Sequence, residues 1–280
     1  MKWWALGVMM ALVVVFALAP AVAMAAPAIT QGIQGVVKDA TTGLPVPFAE
    51  VHVDFYAGGH IDYITTDYDG TYSIEVDAND YSIEADSRRH EYQGFGPVTV
   101  AAGEVTTQDF SLDRNTWTPE QPVYRFFNMQ AGVHFYTAND EEFLNVYKNL
   151  PSFHYDGIAY WVPWGTGDDP EYANPNTLPL YRFYNTKTGV HFYTKDEQEK
   201  ATIQSTLSDV YSFEGVAYNV TGESDGTLPV YRFYVPSRST HFFTGDSSEI
   251  LSPKSQLSDM YQYEGVGFYI GDWTFVGSEG

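Results

Sequence analysis

The sequence predicts an all-β protein of two modules, and three observations carry that prediction. Apolar and polar residues alternate at period two in Val51-His52-Val53-Asp54-Phe55 and Tyr72-Ser73-Ile74-Glu75-Val76, the pattern of strands with one buried face. In the second half one pattern of strand-forming residues recurs three times, which predicts a threefold pseudo-symmetric β-repeat domain with short helices. Nowhere does the chain alternate strand and helix in the βαβ manner of a parallel sheet.

Of the 280 residues, 36 are acidic and 14 basic, a formal net charge of −22. That balance argues against a nucleic-acid partner, which needs clustered Lys and Arg, and against an anionic membrane surface. The chain has no cysteine, which excludes disulfides and thiolate chemistry. Lys2, the apolar run Trp3 to Ala19, Pro20 and the small residues Ala21 to Ala26 predict a signal peptide over residues 1–26 and hence a secreted protein with no membrane attachment after cleavage. Composition breaks near residue 114. Residues 27–113 hold 10 aromatics and residues 114–280 hold 33, with the Pro-bearing segment 114–121 between them as a linker.

In the first module the expected strands are Ile33 to Val37, Ala49 to Phe55, Asp62 to Thr66, Thr71 to Val76, Tyr81 to Ala85, Val98 to Ala101 and Thr106 to Leu112, a sandwich. Thr42-Gly43-Leu44-Pro45 and Asp67-Tyr68-Asp69-Gly70 are its turns; the two aspartates lack the further ligands of a calcium loop. His52, His60 and His90 are scattered, without zinc-ligand spacing. Gly35-Val36-Val37-Lys38-Asp39, Thr42 to Val46, Ala49-Glu50-Val51 and Thr66 to Tyr72 together resemble the carboxypeptidase regulatory-like domain. The resemblance implies a seven-stranded prealbumin-like β-sandwich acting as a non-catalytic accessory or spacer.

The second module, 122–280, contains three copies over 122–162, 179–220 and 229–270. Pro122, Pro179 and Pro229 each open a Tyr-Arg-Phe strand, and His134, His191 and His241 follow each proline at the same offset of 12 residues. Each copy predicts a strand, a tight turn such as Asn185 to Gly189, a second strand, a short helix and a third strand. Helix starts are expected at Thr194-Lys195-Asp196-Glu197 and Asp246-Ser247-Ser248-Glu249. One unit cannot cover its own aromatic face, so the three close on a shared core, in a β-trefoil-like or three-bladed propeller-like arrangement. The Tyr-Arg-Phe, His-Phe-Tyr-Thr and Glu-Gly-Val-Ala signatures resemble a secreted bacterial repeat domain of unknown function. Copy three departs from the others, with Val235 to Ser239 at its turn and Phe243 in place of tyrosine.

Two sets of residues are candidates for function. Arg125, His134 and Asp156, with Arg182, His191 and Glu214 and with Arg232, His241 and Glu264, recur as a basic, imidazole and carboxylate set. Triplication favours structural pinning, and after it a repeated ligand contact, over catalysis, which concentrates its groups in one place. The other set is Trp161, at the end of copy one, with Trp164, Asp168, Asp169 and Tyr172 on the long connection to copy two that follows it; together they combine aromatic faces with acceptors, the chemistry that binds sugars. Gly222-Glu223-Ser224-Asp225-Gly226 spells a nucleophile elbow, but without the strand before and helix after that an elbow needs. The expectation is therefore a secreted protein that is not an enzyme, needs no cofactor or metal, and binds a polysaccharide or cell-wall glycan through the repeat domain. The alternatives are a structural or adhesive surface protein using protein contacts and, third, a hydrolase.

Overall fold

The computed structural model describes residues 29–115, 120–164, 177–224, 226–246, 248–250 and 260–271. The expected signal peptide, Asp168, Asp169 and Tyr172 lie outside them.

The N-terminal domain is a sandwich of two sheets. In one, β1 (Gly32–Asp39) pairs antiparallel with β4 (Thr71–Ile74) and parallel with β7 (Val105–Thr107) and β8 (Phe110–Leu112). In the other the order is β3 (His60–Thr65), β2 (Glu50–Phe55), β5 (Asn79–Ser87) and β6 (His90–Val100). Alternate residues face inward, so that Ile33, Val37, Val51, Val53, Ile83, Phe110 and Leu112 form the core. Two strands differ from expectation. The last one breaks in two at Gln108-Asp109, where the Asp109 carboxylate replaces a backbone acceptor for the Val36 N–H at 2.9 Å. The sixth begins eight residues earlier than its alternation suggests. Gly94, Gly96 and Pro97 interrupt the pattern without interrupting the strand, because β6 is the last strand of its sheet and edges tolerate such residues.

The second domain is a ring of three similar units. The first contains β9 (Glu120–Asn128), β10 (Val133–Thr137), α1 (Asp140–Asn149) and β11 (Phe153–Pro163). The second contains β12 (Thr177–Asn185), β13 (Val190–Thr194), α2 (Glu197–Thr206) and β14 (Tyr211–Thr221), and the third β15 (Thr227–Val235), β16 (Thr240–Thr244), helical residues 248–250 and β17 (Gln262–Gly271). In each unit the first strand lies in the middle, with the second and third antiparallel on either side. Three strands per unit bring the ring nearer to blades than to trefoil lobes.

The shared core is built from equivalent positions: Val123, Leu180 and Val230; Tyr136, Tyr193 and Phe243; Tyr160, Tyr218 and Phe268; Val162, Val220 and Ile270. Each unit also buries a local cluster, Phe126 and Phe135, Phe183 and Phe192, or Phe233 and Phe242, beneath its helical residues. Asn139 and Asp196 cap α1 and α2 by accepting the Glu142 and Glu199 N–H groups. The second helix thus starts two residues later than expected, because Thr194 accepts the Asp196 N–H and serves the turn before it. The turns after the first strands need a left-handed residue, supplied by Gly132 (φ 66°), Gly189 (φ 71°) and, in the third unit, Ser239 (φ 53°).

Polar contacts join the two domains where the sequence suggests a loose linker. Arg88 bonds Glu120 at 2.9 Å, Arg89 grips both oxygens of Asp140 at 3.2 Å, and Arg114, 4.0 Å from Asp140, also meets the buried Asp39 carboxylate that His90 contacts from within the sandwich. Phe48 and Tyr68 of the sandwich pack on Tyr155, and Tyr68 also on Tyr147. Burial opposes the charge of Asp39, but the Thr42 amide, His90 and Arg114 outweigh it and hold the carboxyl far below its usual range.

Candidate functional site

The recurring Arg, His and carboxylate sets form the seams between units. Asp156, Glu214 and Glu264 each occupy a β-bulge opposite the arginine of their own unit, and the glycine that follows, Gly157, Gly215 or Gly265, has φ near 100°. The bulge turns the carboxylate onto the first strand. Arg182 Nε then reaches Glu214 at 2.7 Å and Arg232 Nε reaches Glu264 at 2.8 Å, while Arg125 Nε stands 3.6 Å from Asp156. His134, His191 and His241 approach the same carboxylates through Nε2 at 3.2, 3.4 and 3.1 Å.

The other end of each guanidinium crosses to the preceding unit. Arg182 forks onto Glu142 at 2.7 and 3.0 Å and Arg125 onto Glu249 at 2.9 Å twice, but Arg232 makes one contact to Glu199, at 3.3 Å. The imidazoles cross in the same sense. His134 packs on Phe242, His191 on Phe135 and His241 on Phe192, with ring centres 4.9 to 5.0 Å apart. The groups that a hydrolase would use are thereby committed, in three separate places, to holding the ring closed.

Around the axis a third contact repeats, and there the symmetry fails. The Tyr193 hydroxyl donates to the Tyr136 carbonyl at 2.8 Å and accepts its N–H at 3.2 Å. Tyr136 does the same to Phe243, at 2.9 and 3.1 Å. Residue 243, which would complete the cycle at Tyr193, is a phenylalanine. Gly267 replaces Ala159 and Ala217 beside it, and a methyl at Gly267 would lie 3.1 Å from the Phe243 ring. The seam between the second and third units is bridged at one end, where β14 and β17 pair at Thr221 and Tyr269 to make one six-stranded sheet. It holds a cleft of roughly 840 Å³ walled by Glu199 and Thr202 of α2, Tyr193, and Arg232, Tyr234 and Glu264 of the third unit. His241 stands in its lining almost fully buried; burial first, then Arg232, lowers the imidazole to about 3, and Nδ1 has no hydrogen-bond partner.

Neither described member of the tryptophan set stands on an open platform. Trp161 is 6% exposed, with the Arg88 guanidinium 4.6 Å from its ring centre, and Trp164 lies between Arg89 and Arg114 at 4.7 and 4.2 Å. Both are committed to the contact between domains, which period and composition could not reveal. Ser224 of the elbow-like string lies in the connection from β14 to β15, its carbonyl accepting the Thr227 hydroxyl at 2.7 Å. The signal that sequence reading missed is Glu142, Glu199 and Glu249. All three follow the opening proline of their unit by the same interval, but of the three only Glu249 falls in an expected helix start, where it reads as a cap.

Residues 32–113 match the carboxypeptidase regulatory-like domain. Among solved structures the Bacillus anthracis TIE protein is similar, at 15% identity and a TM-score of 0.26, over 48% of this chain and 27% of that one, so the chain spans little more than a quarter of its length. No curated protein matches the chain. Residues 101–172 and 122–271 match the family described as a domain of unknown function, DUF5648, and with more than half of its length inside that match the chain belongs to this family.

Proposed function

We propose that the protein is a secreted, non-catalytic binding protein whose ring of three repeats recognises the hydroxyl-rich end of a glycan at the seam between its second and third units. The observation that carries this reading is the missing hydroxyl at Phe243. At the other two seams a tyrosine hydroxyl satisfies one backbone N–H and one carbonyl together, and a sugar hydroxyl can both donate and accept in the same way. The cleft lies within the size range of small-molecule sites, and its Arg232, Glu199 and Thr202 side chains surround it with donors and acceptors. The sandwich serves as a rigid mount, fixed to the ring by Arg88, Arg89 and Arg114.

The test is a glycan array followed by titration of any binder against wild type and Phe243→Tyr. A tyrosine at 243 fills the position, so binding is expected to be lost while the fold is kept. A Phe243→Tyr variant that binds as tightly as wild type would remove the cleft from the reading. Failure to bind any glycan would favour a surface protein that works by protein contacts.

A further inference from the structure

The outer face of the sheet β3-β2-β5-β6 carries aromatic rings that the fold does not need there. Gly94 and Gly96 are alternate residues of β6 and share that face. A side-chain carbon built on Gly94 would meet Tyr92 Oη at 2.5 Å and Cζ at 3.1 Å. One built on Gly96 would meet Tyr56 Cε2 and Cδ2 at 3.0 and 3.1 Å. Each glycine thus lies under a tyrosine ring laid along the sheet, about 7 Å from the next at two strand residues. The rings stay open on their other side, Tyr92 being 60% and Tyr56 54% exposed.

Polar groups frame these rings. The Tyr92 hydroxyl donates to Glu84 Oε1 at 2.8 Å, across the pair that β5 makes with Gly94. On the same row beyond Glu84 come His52 and then Tyr63, 54% exposed, with ring centres 5.6 Å apart. Ser82 and Asp54 form the adjacent row, with His60 on Asp54 at 2.8 Å. Covering an edge glycine with an aromatic ring helps a strand, which accounts for one side of each tyrosine. It does not account for carboxylates, a serine and two histidines set between three open rings.

We propose that this face is a second binding site, a stacking platform for a polysaccharide that carries no anionic groups. Pyranose rings present flat apolar faces edged with hydroxyls; tyrosines supply the matching flat faces, and Glu84, Asp54 and Ser82 supply hydrogen-bond partners. Charge selects the polymer. Glu50, Asp54, Glu84 and Asp86 lie on the face and none of its four strands contains Lys or Arg, so uronate or sulfate groups are repelled and neutral or amine-bearing sugars are accepted. The site stands on a different domain from the cleft and does not depend on it.

Affinity electrophoresis of the full chain in gels containing hydroxyethylcellulose, glycol chitosan or polygalacturonate tests the proposal. Retardation by the neutral or the amine-bearing polymer is expected, and the Y56A/Y92A double variant should weaken it at least tenfold with an unchanged melting curve. Gly94→Ala, which keeps every ring but lifts Tyr92, should also weaken it. Comparing the variants in a Phe243→Tyr background, in which the cleft is filled, separates this site from the cleft: the loss caused by Y56A/Y92A should persist there. Undiminished retardation of a folded Y56A/Y92A variant, retardation by polygalacturonate alone, or none by any of the three polymers would overturn the proposal.

Discussion

The guanidinium of Arg182 and the carboxylate of Glu142 belong to neighbouring units, and their two bonds of 2.7 and 3.0 Å fasten the middle strand of one unit to the helix of the unit before it. Arg125 with Glu249 and Arg232 with Glu199 are the same contact carried round the ring. Because unit one fastens to unit three, the chain of contacts has no free end.

Removing a member of this cycle strands charge. Arg182→Ala leaves Glu142 and Glu214 without their shared cation, and a loss of about 3 kcal/mol is expected from denaturant unfolding. Adding Glu142→Gln should recover part of it, since only one carboxylate then lacks its partner. A single variant that unfolds with wild type would mean the fork contributes nothing to stability.

Filling the gap in the axial cycle should have the opposite sign. Phe243→Tyr adds the third hydroxyl of the axial cycle and is expected to stabilise by about 1 kcal/mol, the net value of a hydrogen bond. A lower melting temperature would show that the Tyr193 backbone is not within reach of residue 243.

Acid should weaken the fold through His241 before the carboxylates titrate. Its imidazole is held at about 3 when folded but titrates near 6.5 when unfolded. Below about pH 6.5 the unfolded chain therefore takes up a proton that the folded chain refuses, and stability falls with pH until about 3. Between pH 7 and pH 5 this amounts to about 2 kcal/mol. Burial lowers His90 as well and adds in the same direction. Comparing unfolding at the two pH values, His241→Gln should show a smaller drop than wild type; an equal drop would assign the effect elsewhere.

The contacts between domains predict one cooperative transition for the whole chain in calorimetry, although the sequence suggests two parts able to fold alone. Arg89→Ala leaves Asp140 without its fork and should split the transition or lower its onset, at a cost of about 3 kcal/mol. Two resolved transitions in wild type would show that the contacts do not couple the domains.

Ser239 holds a left-handed conformation that glycine holds in the equivalent turns of the other two units. Ser239→Gly is expected to raise stability by about 1 kcal/mol in thermal melts.

The ring was legible because its main features happen three times: the strands, and Arg and His at constant offsets from a proline, with an Asn-led turn in two of the three copies. Its closing contacts were less so. Glu142 is forty residues from Arg182 and Glu249 more than a hundred from Arg125, and Glu249, in an expected helix start, already has a local explanation. Trp164 was misleading for a related reason: loop composition marks a segment as outside the core but not which other domain covers it. In β6 the glycines fall before the expected strand, Val98 to Ala101, and only the structure shows Tyr56 and Tyr92 taking the space they leave.

Closure also fixes how the domain can change in length. In an open stack an extra unit adds one more interface at the end and disturbs nothing already made. Here a fourth copy would have to part Arg125 from Glu249 and Tyr136 from Phe243 before it could enter. Unequal recombination between the copies should therefore yield chains with one complete ring or two, three units or six, and not the graded series of lengths seen in solenoids.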